Sequence, residues 1–435
     1  MKKLIFFWKE LLSTFWFLPA LIICFAVFLS MSLVSFDHSI IISQNGWIHF
    51  FLVNSSDSAR SILSTISGAM IGVAGTVFSV TLVALTLASS QFGPRLIKNF
   101  MYVKLNQVVL GSYIATYLYC LLVLNSIKDS DGYAFIPSIS ILVAILATIA
   151  NIVLLIIFIH QIAVSIQADR VISDISDFIA NQLETLFPEK MGGEKVGEEK
   201  IDISAAVSAY QNKVSIKSPK SGYLQYISSE VLFDLVTKQD SMLKVYYRPG
   251  SYLVKDIEIA ELLTHSKWEQ EKIEMLLNQF IIGKTKTSQQ DIEYSIHQMV
   301  EIASRALSPG INDPYTAIAC IDNLTSTMSY LAQAKFPSKY RFDEEANLRV
   351  IANTLDFEKV LDAAFNQIRQ FSAGSTAVII RLMEALAIIQ KFTKTEDQKK
   401  AVIKHAKMVL FIGEQTVKEK NDIEDLKERA KIVLG

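Results

Sequence analysis

A chain of 435 residues that is 51% apolar, with 42 Lys and Arg against 43 Asp and Glu, is too long and too hydrophobic for a single ordinary soluble domain. Its formal net charge of −1 removes any bulk electrostatic reason to bind nucleic acid, so no nucleic-acid partner is expected. Cys24, Cys120 and Cys320 are scattered, which suggests neither a disulfide framework nor a zinc site.

Runs of about 20 apolar residues match the hydrocarbon thickness of a bilayer. Phe15 to Phe36, Ile62 to Ala88, Val108 to Ile127 and Ile136 to Ile166 are such runs, all free of Asp, Glu, Lys and Arg, and they predict four spans. The first is too long for a signal peptide, lacks a small-residue cleavage site and is followed by further spans, so it reads as a retained helix. Lys2, Lys3 and Lys9 before the first span, and Arg95, Lys98 and Lys104 between the second and third, place both loops on the cytoplasmic side. Opposite them Arg60 and Lys128 stand among Asp37, Asp57, Asp129 and Asp131, which predicts both termini in the cytoplasm of a bacterial plasma membrane protein. Trp47, Ile48, Phe50, Phe51 and Leu52 form an apolar cluster too short to cross, placed either at the outer surface or against the helices.

The second span carries a stripe of small residues at helical spacing: Ser64, Gly68, Gly72, Gly75 and Ser79, with Gly68 and Gly72 forming a GxxxG. Such a stripe predicts tight helix packing, a subunit interface included; its alternative is a polar path continued by Thr76, Thr86, Ser89 and Ser90. Asn151 and His160 are the strongly polar residues of the last span.

Beyond the last span, Ile162, Ile166, Ile175, Phe178, Ile179, Leu183 and Leu186 keep a helical stripe, which predicts a stalk helix continuous with the membrane ending before Pro188. Met191-Gly-Gly-Glu-Lys-Val-Gly-Glu-Glu-Lys200 reads as a mobile linker. From Lys213 to Leu262 the period changes to two, through Val214 and Ile216, Tyr223 to Ile227, and Leu243, Val245 and Tyr247, with turns at Ser221-Gly222 and Pro249-Gly250. This small β domain is similar to the barrel-sandwich hybrid of biotinyl and lipoyl carriers, but no lysine stands at a hairpin tip in the carrier setting, so no cofactor is expected.

The remainder is helical by pattern. Ile292, Ile296, Met299, Val300, Ala303 and Leu307 form one face, and Glu301 stands four residues before Arg305, the favourable order for a helix ion pair. The stretch Arg305-Ala-Leu-Ser308-Pro309-Gly310-Ile-Asn312-Asp313-Pro314 predicts a stiff corner of a helical hairpin. Pro309 ends one helix, Gly310 supplies a permissive backbone, Asp313 caps the next helix and Pro314 takes its first position. Arg305, Ser308 and Asn312 are left over as a cytoplasmic corner that either holds itself together or binds a ligand. Phe357 to Phe371 and Thr376 to Phe392 complete a bundle.

Gly283-Lys284-Thr285 resembles the end of a phosphate-binding loop, but Asn278 stands where the first glycine belongs and no strand is expected before it. No HExxH, paired CxxC, GxSxG or GxGxxG is present, so the chain is read as a non-enzyme without a metal site.

Two stretches resemble a bacterial family of predicted membrane proteins known as domain of unknown function 2254: Ala74-Gly-Thr-Val-Phe-Ser-Val-Thr-Leu-Val-Ala-Leu85 through Ser89-Ser-Gln-Phe-Gly-Pro-Arg95, and Arg305 to Pro314. Gly283 to Asp291 is similar to the family's approach to the second stretch. The resemblance implies a plasma-membrane protein with a cytoplasmic domain and brings no activity with it.

The expectation is a mainly α membrane protein with four transmembrane helices and a cytoplasmic α+β region, made of a small barrel-sandwich-like β domain and a helical bundle. The divisions fall at 1–166 for the spans, 167–204 for stalk and linker, 205–264 for the β domain and 265–435 for the helical domain. The lipid bilayer and further copies of the chain are the expected partners. An oligomeric channel or transporter-like protein is the leading functional reading; a membrane-anchored sensor or scaffold, binding a ligand or soluble partner, is its alternative.

Overall fold

The computed structural model describes residues 14–39, 55–93, 104–130, 133–165, 167–182, 188, 191–193 and 203–435. Lys2, Lys3, Lys9, Arg95, Lys98 and Asp131, the cluster from Trp47 to Leu52, Ile166, Leu183 and Leu186, and residues 194–200 of the expected linker lie outside the described residues. The chain divides into two compact units, Met1–Arg170 and Val171–Gly435.

The first unit contains the four expected spans as helices α1 (Phe17–Ser39), α2 (Ser56–Phe92), α3 (Lys104–Ser126) and α4 (Ser138–Ser165), each long and apolar enough to cross a membrane. A short hairpin of β1 (Lys128–Ser130) and β2 (Tyr133–Phe135) joins the last two. At 37 residues α2 is about 55 Å long, well beyond the roughly 30 Å hydrocarbon core, so it projects past the bilayer unless strongly tilted.

Half of the most apolar stretch of α3 is buried, against 17% to 22% in the other three, which makes α3 the central helix. The burial pattern is the one hydrocarbon requires. Phe25, Phe28, Met31, Ile149 and Ile156 are exposed, whereas Ser30, Ser67, Thr116, Ser140 and Asn151 are buried. α1 and α3 approach closely at Gly111, where a Cβ would lie 2.9 Å from the Pro19 Cα and 3.2 Å from Ile22 Cδ1.

The division falls within the first turn of α5 (Ala168–Gln182), whose Val171, Ile172, Ile175 and Ile179 are buried. The expected continuous stalk is not formed: α4 ends at Ser165 and α5 begins as a separate helix at Ala168. The first residues of the expected linker are pinned. Met191 is fully buried, Gly193 makes a β-bridge with Phe342, and Arg341 donates to the carbonyls of Met191 and Gly192.

After a short α6 (Ile203–Ser208), the period-two segment forms β3 (Asn212–Lys217), β4 (Gly222–Ile227), β5 (Met242–Val245), β6 (Tyr252–Leu253) and β7 (Glu258–Thr264), with an unforeseen helix α7 (Ser229–Lys238) between β4 and β5. Then follow α8 (Gln270–Leu277), β8 (Phe280–Gly283), α9 (Ile292–Ala306), α10 (Pro314–Gln333), β9 (Tyr340–Phe342), β10 (Leu348–Ala352) and the helices α11 (Phe357–Phe371), α12 (Thr376–Gln390), α13 (Glu396–Thr416) and α14 (Lys420–Leu434).

The strands make two sheets, ordered β3-β7-β5-β10-β9 and β6-β4-β8, and neither closes into a barrel. β10 lies parallel to β5, with Val350 opposite Leu243 and Ala352 opposite Val245, so the segment expected to be wholly helical supplies three strands to the sheets. Leu224, Leu243, Leu253, Ile259, Leu262, Trp268, Phe280 and Val350 share one core beneath them. Gly283 therefore does end a strand, against expectation, but the next helix begins only at Ile292, so no phosphate-binding loop forms.

Candidate functional site

The small-residue stripe of α2 faces away from its own bundle. Ser64, Gly68, Gly72, Gly75 and Ser79 are all exposed, while Leu63, Ser67, Met70, Ala74, Val77 and Thr81 on the other side of the helix are buried. No atom of the described residues lies within 4 Å of where a Cβ would stand on Gly68, Gly72 or Gly75. Three hydroxyls on and beside this face bond back to their own helix: Thr76 to the Gly72 carbonyl at 3.2 Å, Ser79 to Gly75 at 2.9 Å and Thr86 to Leu82 at 2.9 Å. Hydroxyls whose hydrogens are used in this way are at ease against lipid, protein or water.

Inside the bundle the polar groups hold helices together. Asn151, fully buried, donates to Thr116 Oγ1 at 2.8 Å and to the Met70 sulfur at 3.7 Å, and its Oδ1 accepts from Ser112 at 2.7 Å. Its carbonyl accepts from the Tyr113 hydroxyl at 2.7 Å. One asparagine thus ties α4 to α3 and α2. Asp37, at the end of α1, caps α4: it accepts from the backbone N–H of Ile139 at 3.1 Å and Ser140 at 2.9 Å, and from the Ser140 hydroxyl at 2.6 Å. That answers the requirement for a partner at the first turn of a helix. His160, by contrast, is exposed. The roles of Gly111, of Tyr119, which donates to the Ser140 carbonyl, and of Asp37, which in sequence reads only as one of the acids of an outer loop, are revealed by their partners alone.

The corner between α9 and α10 is built largely as its residue types require. Asp313 accepts from the backbone N–H of Thr316 at 3.1 Å and from its hydroxyl at 2.6 Å, and the hydroxyl holds the carboxyl below its ordinary pKa. Pro314 occupies the first turn of α10. The Ser308 hydroxyl donates to the Arg305 carbonyl at 2.6 Å, the Asp313 N–H to the Ala306 carbonyl at 2.8 Å, and Arg305 Nε lies 3.6 Å from Glu301 Oε1. Two details differ from expectation. α9 already ends at Ala306, before Pro309, and the left-handed residue is Asn312 at φ 51°, not Gly310. Local bonds thus bring Arg305, Ser308 and Asp313 into one self-contained turn rather than around a cleft. Pro309, Gly310, Ile311, Asn312 and Tyr315 are exposed at its tip.

Where β8 leads into α9, Asp291 caps the helix by accepting from the Tyr294 N–H at 3.1 Å. Its other oxygen, Oδ2, is buried without a hydrogen-bond partner among the described residues, against Gly250, whose φ of 93° brings the backbone close. Burial pushes this carboxyl up to about 6, against the opposing pull of Lys286. A further cavity of about 780 Å³ opens at the first turns of α11 and α13. Asp356 and Thr395 already cap those helices, and Asp356, Asp397 and Glu358 pair with Lys359, Lys400 and Lys404, so the three carboxylates there are already engaged. Among the described residues no group of three or more His, Cys, Asp or Glu is arranged to hold a metal.

The family model described as a predicted membrane protein, domain of unknown function 2254, matches residues 12–388, and the chain belongs to that family. It is 28% identical over 374 residues to an uncharacterized protein of Mycobacterium tuberculosis and, equally, to one of Mycobacterium bovis, covering 84% of this chain and 70% of each relative. No solved structure matches it.

Proposed function

We propose that this family member works as a homo-oligomer in the bilayer, with the α2 helices of neighbouring copies meeting through Ser64, Gly68, Gly72, Gly75 and Ser79 in a channel- or transporter-like assembly. The second unit regulates it from the cytoplasmic side. The observation that carries this reading is the open space over Gly68, Gly72 and Gly75 on an otherwise apolar exterior. Close backbone approach through small residues is the usual basis of helix association in lipid. The polar groups inside one copy, Asn151 and Asp37 above all, are consumed by bonds between helices, so a polar path would form between copies rather than within one.

A second reading, a membrane-anchored sensor or scaffold, draws on the hydroxyls of the same face. Bonded to their own carbonyls, they suit a packed contact without a pore, and the exposed Ile311 and Tyr315 offer a surface to a partner.

Disulfide crosslinking of Ser79→Cys in native membranes, in a Cys24→Ser background, combined with conductance of the purified protein in planar bilayers, tests both. Crosslinked copies with current support the channel. Crosslinked copies without current under any gradient or voltage favour the scaffold, and absence of crosslinks refutes the α2 contact.

A further inference from the structure

The sheet β6-β4-β8 has one face on the core and one outside. Leu224, Leu253, Phe280 and Ile282 point inward and are buried, as the period of two requires. On the other face Tyr223 stands opposite Tyr252, their rings 5.0 Å apart and edge to face, with Tyr252 56% and Val254 55% exposed.

Lysines rim this platform. Lys286 Nζ lies 5.7 Å from the centre of the Tyr223 ring, and Lys284 follows Gly283, which pairs with Tyr223. The Lys255 N–H is held by the Ser221 hydroxyl at 2.9 Å, which brings Lys255 beside Lys220. None of these four has an ion-pair partner among the described residues, whereas Lys359, Lys399, Lys404 and Lys427 on the helices all do. Among the described residues the acidic groups nearby are largely spoken for: Glu293 is paired with Arg248, Asp291 is buried, and Asp256, next in the chain to Lys255, is exposed.

We propose that this platform docks on the anionic headgroups of a lipid bilayer. Tyrosine is the amphipathic aromatic of the headgroup zone, Val254 supplies apolar surface, and lysine near an anionic leaflet contributes about 1 kcal/mol, or roughly fivefold, per residue. The spans tether the platform to such a surface, so modest intrinsic affinity suffices, because the encounter is intramolecular. Docking fixes the second unit against the membrane in proportion to its anionic lipid content.

The test uses the full chain with Val254→Cys, in a Cys24→Ser background, carrying an environment-sensitive fluorophore; Cys120 and Cys320 are buried and do not compete. The protein is placed in nanodiscs of phosphatidylcholine alone or with phosphatidylglycerol, and quenching by acrylamide, which is uncharged and so not itself repelled by the anionic lipid, is measured. Expected is a severalfold lower quenching constant in the anionic discs, lost at high salt and lost in K255E/K284E. These lysines are exposed, so the substitutions leave the core untouched, and K255Q/K284Q should give an intermediate value. Equal quenching in both lipids, protection that survives charge reversal, or protection seen only when an oligonucleotide or a soluble protein is added would each overturn the proposal.

Discussion

Replacing Asp291 by Asn tests the electrostatics of the second unit directly. The carboxyl is 4% exposed, and burial raises it from its ordinary 3.8 to about 6. At 1.36 kcal/mol per pH unit this corresponds to about 3 kcal/mol of folding free energy. The sign follows from proton binding. Below 3.8 folded and unfolded chains are both protonated at this group, and nothing is lost. Between about 4 and 6 the folded chain holds the proton more tightly, so stability falls as pH rises, and above 6 the full loss is present. Asn keeps the oxygen that accepts from Tyr294 and carries no charge. The stability of D291N relative to the parent should therefore rise by roughly 2.4 kcal/mol between pH 4 and pH 8, since a small part of the loss is already present at pH 4. Guanidinium unfolding followed by Trp268 fluorescence reads this out, since Trp268 is buried, bonds to Ser241, and is the single tryptophan of the second unit; Trp8, Trp16 and Trp47 are replaced by Phe. A relative stability that does not change with pH would refute the assignment of a buried, destabilising carboxylate.

In the membrane unit, Gly111→Val should drive α1 from α3 and destabilise the bundle by about 1–3 kcal/mol, detected as faster maleimide labelling of buried Cys120. Gly72→Ala should leave the single bundle unchanged, because open space surrounds Gly72, and should weaken only contacts between copies, seen as reduced crosslinking of Ser79→Cys. Asn151→Leu removes the link from α4 to Thr116 and Ser112 and should lower stability by roughly 1–2 kcal/mol in thermal unfolding followed by circular dichroism. At the corner, Asn312→Val should lower stability by about 1–2 kcal/mol through its left-handed backbone, whereas Asn312→Gly should be close to neutral in the same measurement.

The spans are legible because a bilayer leaves few arrangements open to an uncharged run of this length. The corner at Asp313 and Pro314 is legible because capping is local, and both residues stand where residue type alone places them. What depends on distant partners is hidden. The pairing of Val350 with Leu243 joins segments with several helices between them, and no periodicity in either announces the other. Gly111 and Gly68 look alike in sequence; only the position of Pro19 makes one a contact and leaves the other open. Asp291 reads as an ordinary helix cap until Gly250 is seen to seal its second oxygen from water.

The placement of β10 between β5 and β9 bears on how this polypeptide is made. A nascent chain that has emerged only as far as residue 347 has β3, β7 and β5 in hand, but the outer side of β5 has no neighbour. Bare strand edges invite pairing with other molecules, and the closing strand arrives late. Fragments truncated between residues 246 and 347 should accordingly be aggregation-prone, and any dissection meant to separate sheet from helices has to carry the chain through Ala352.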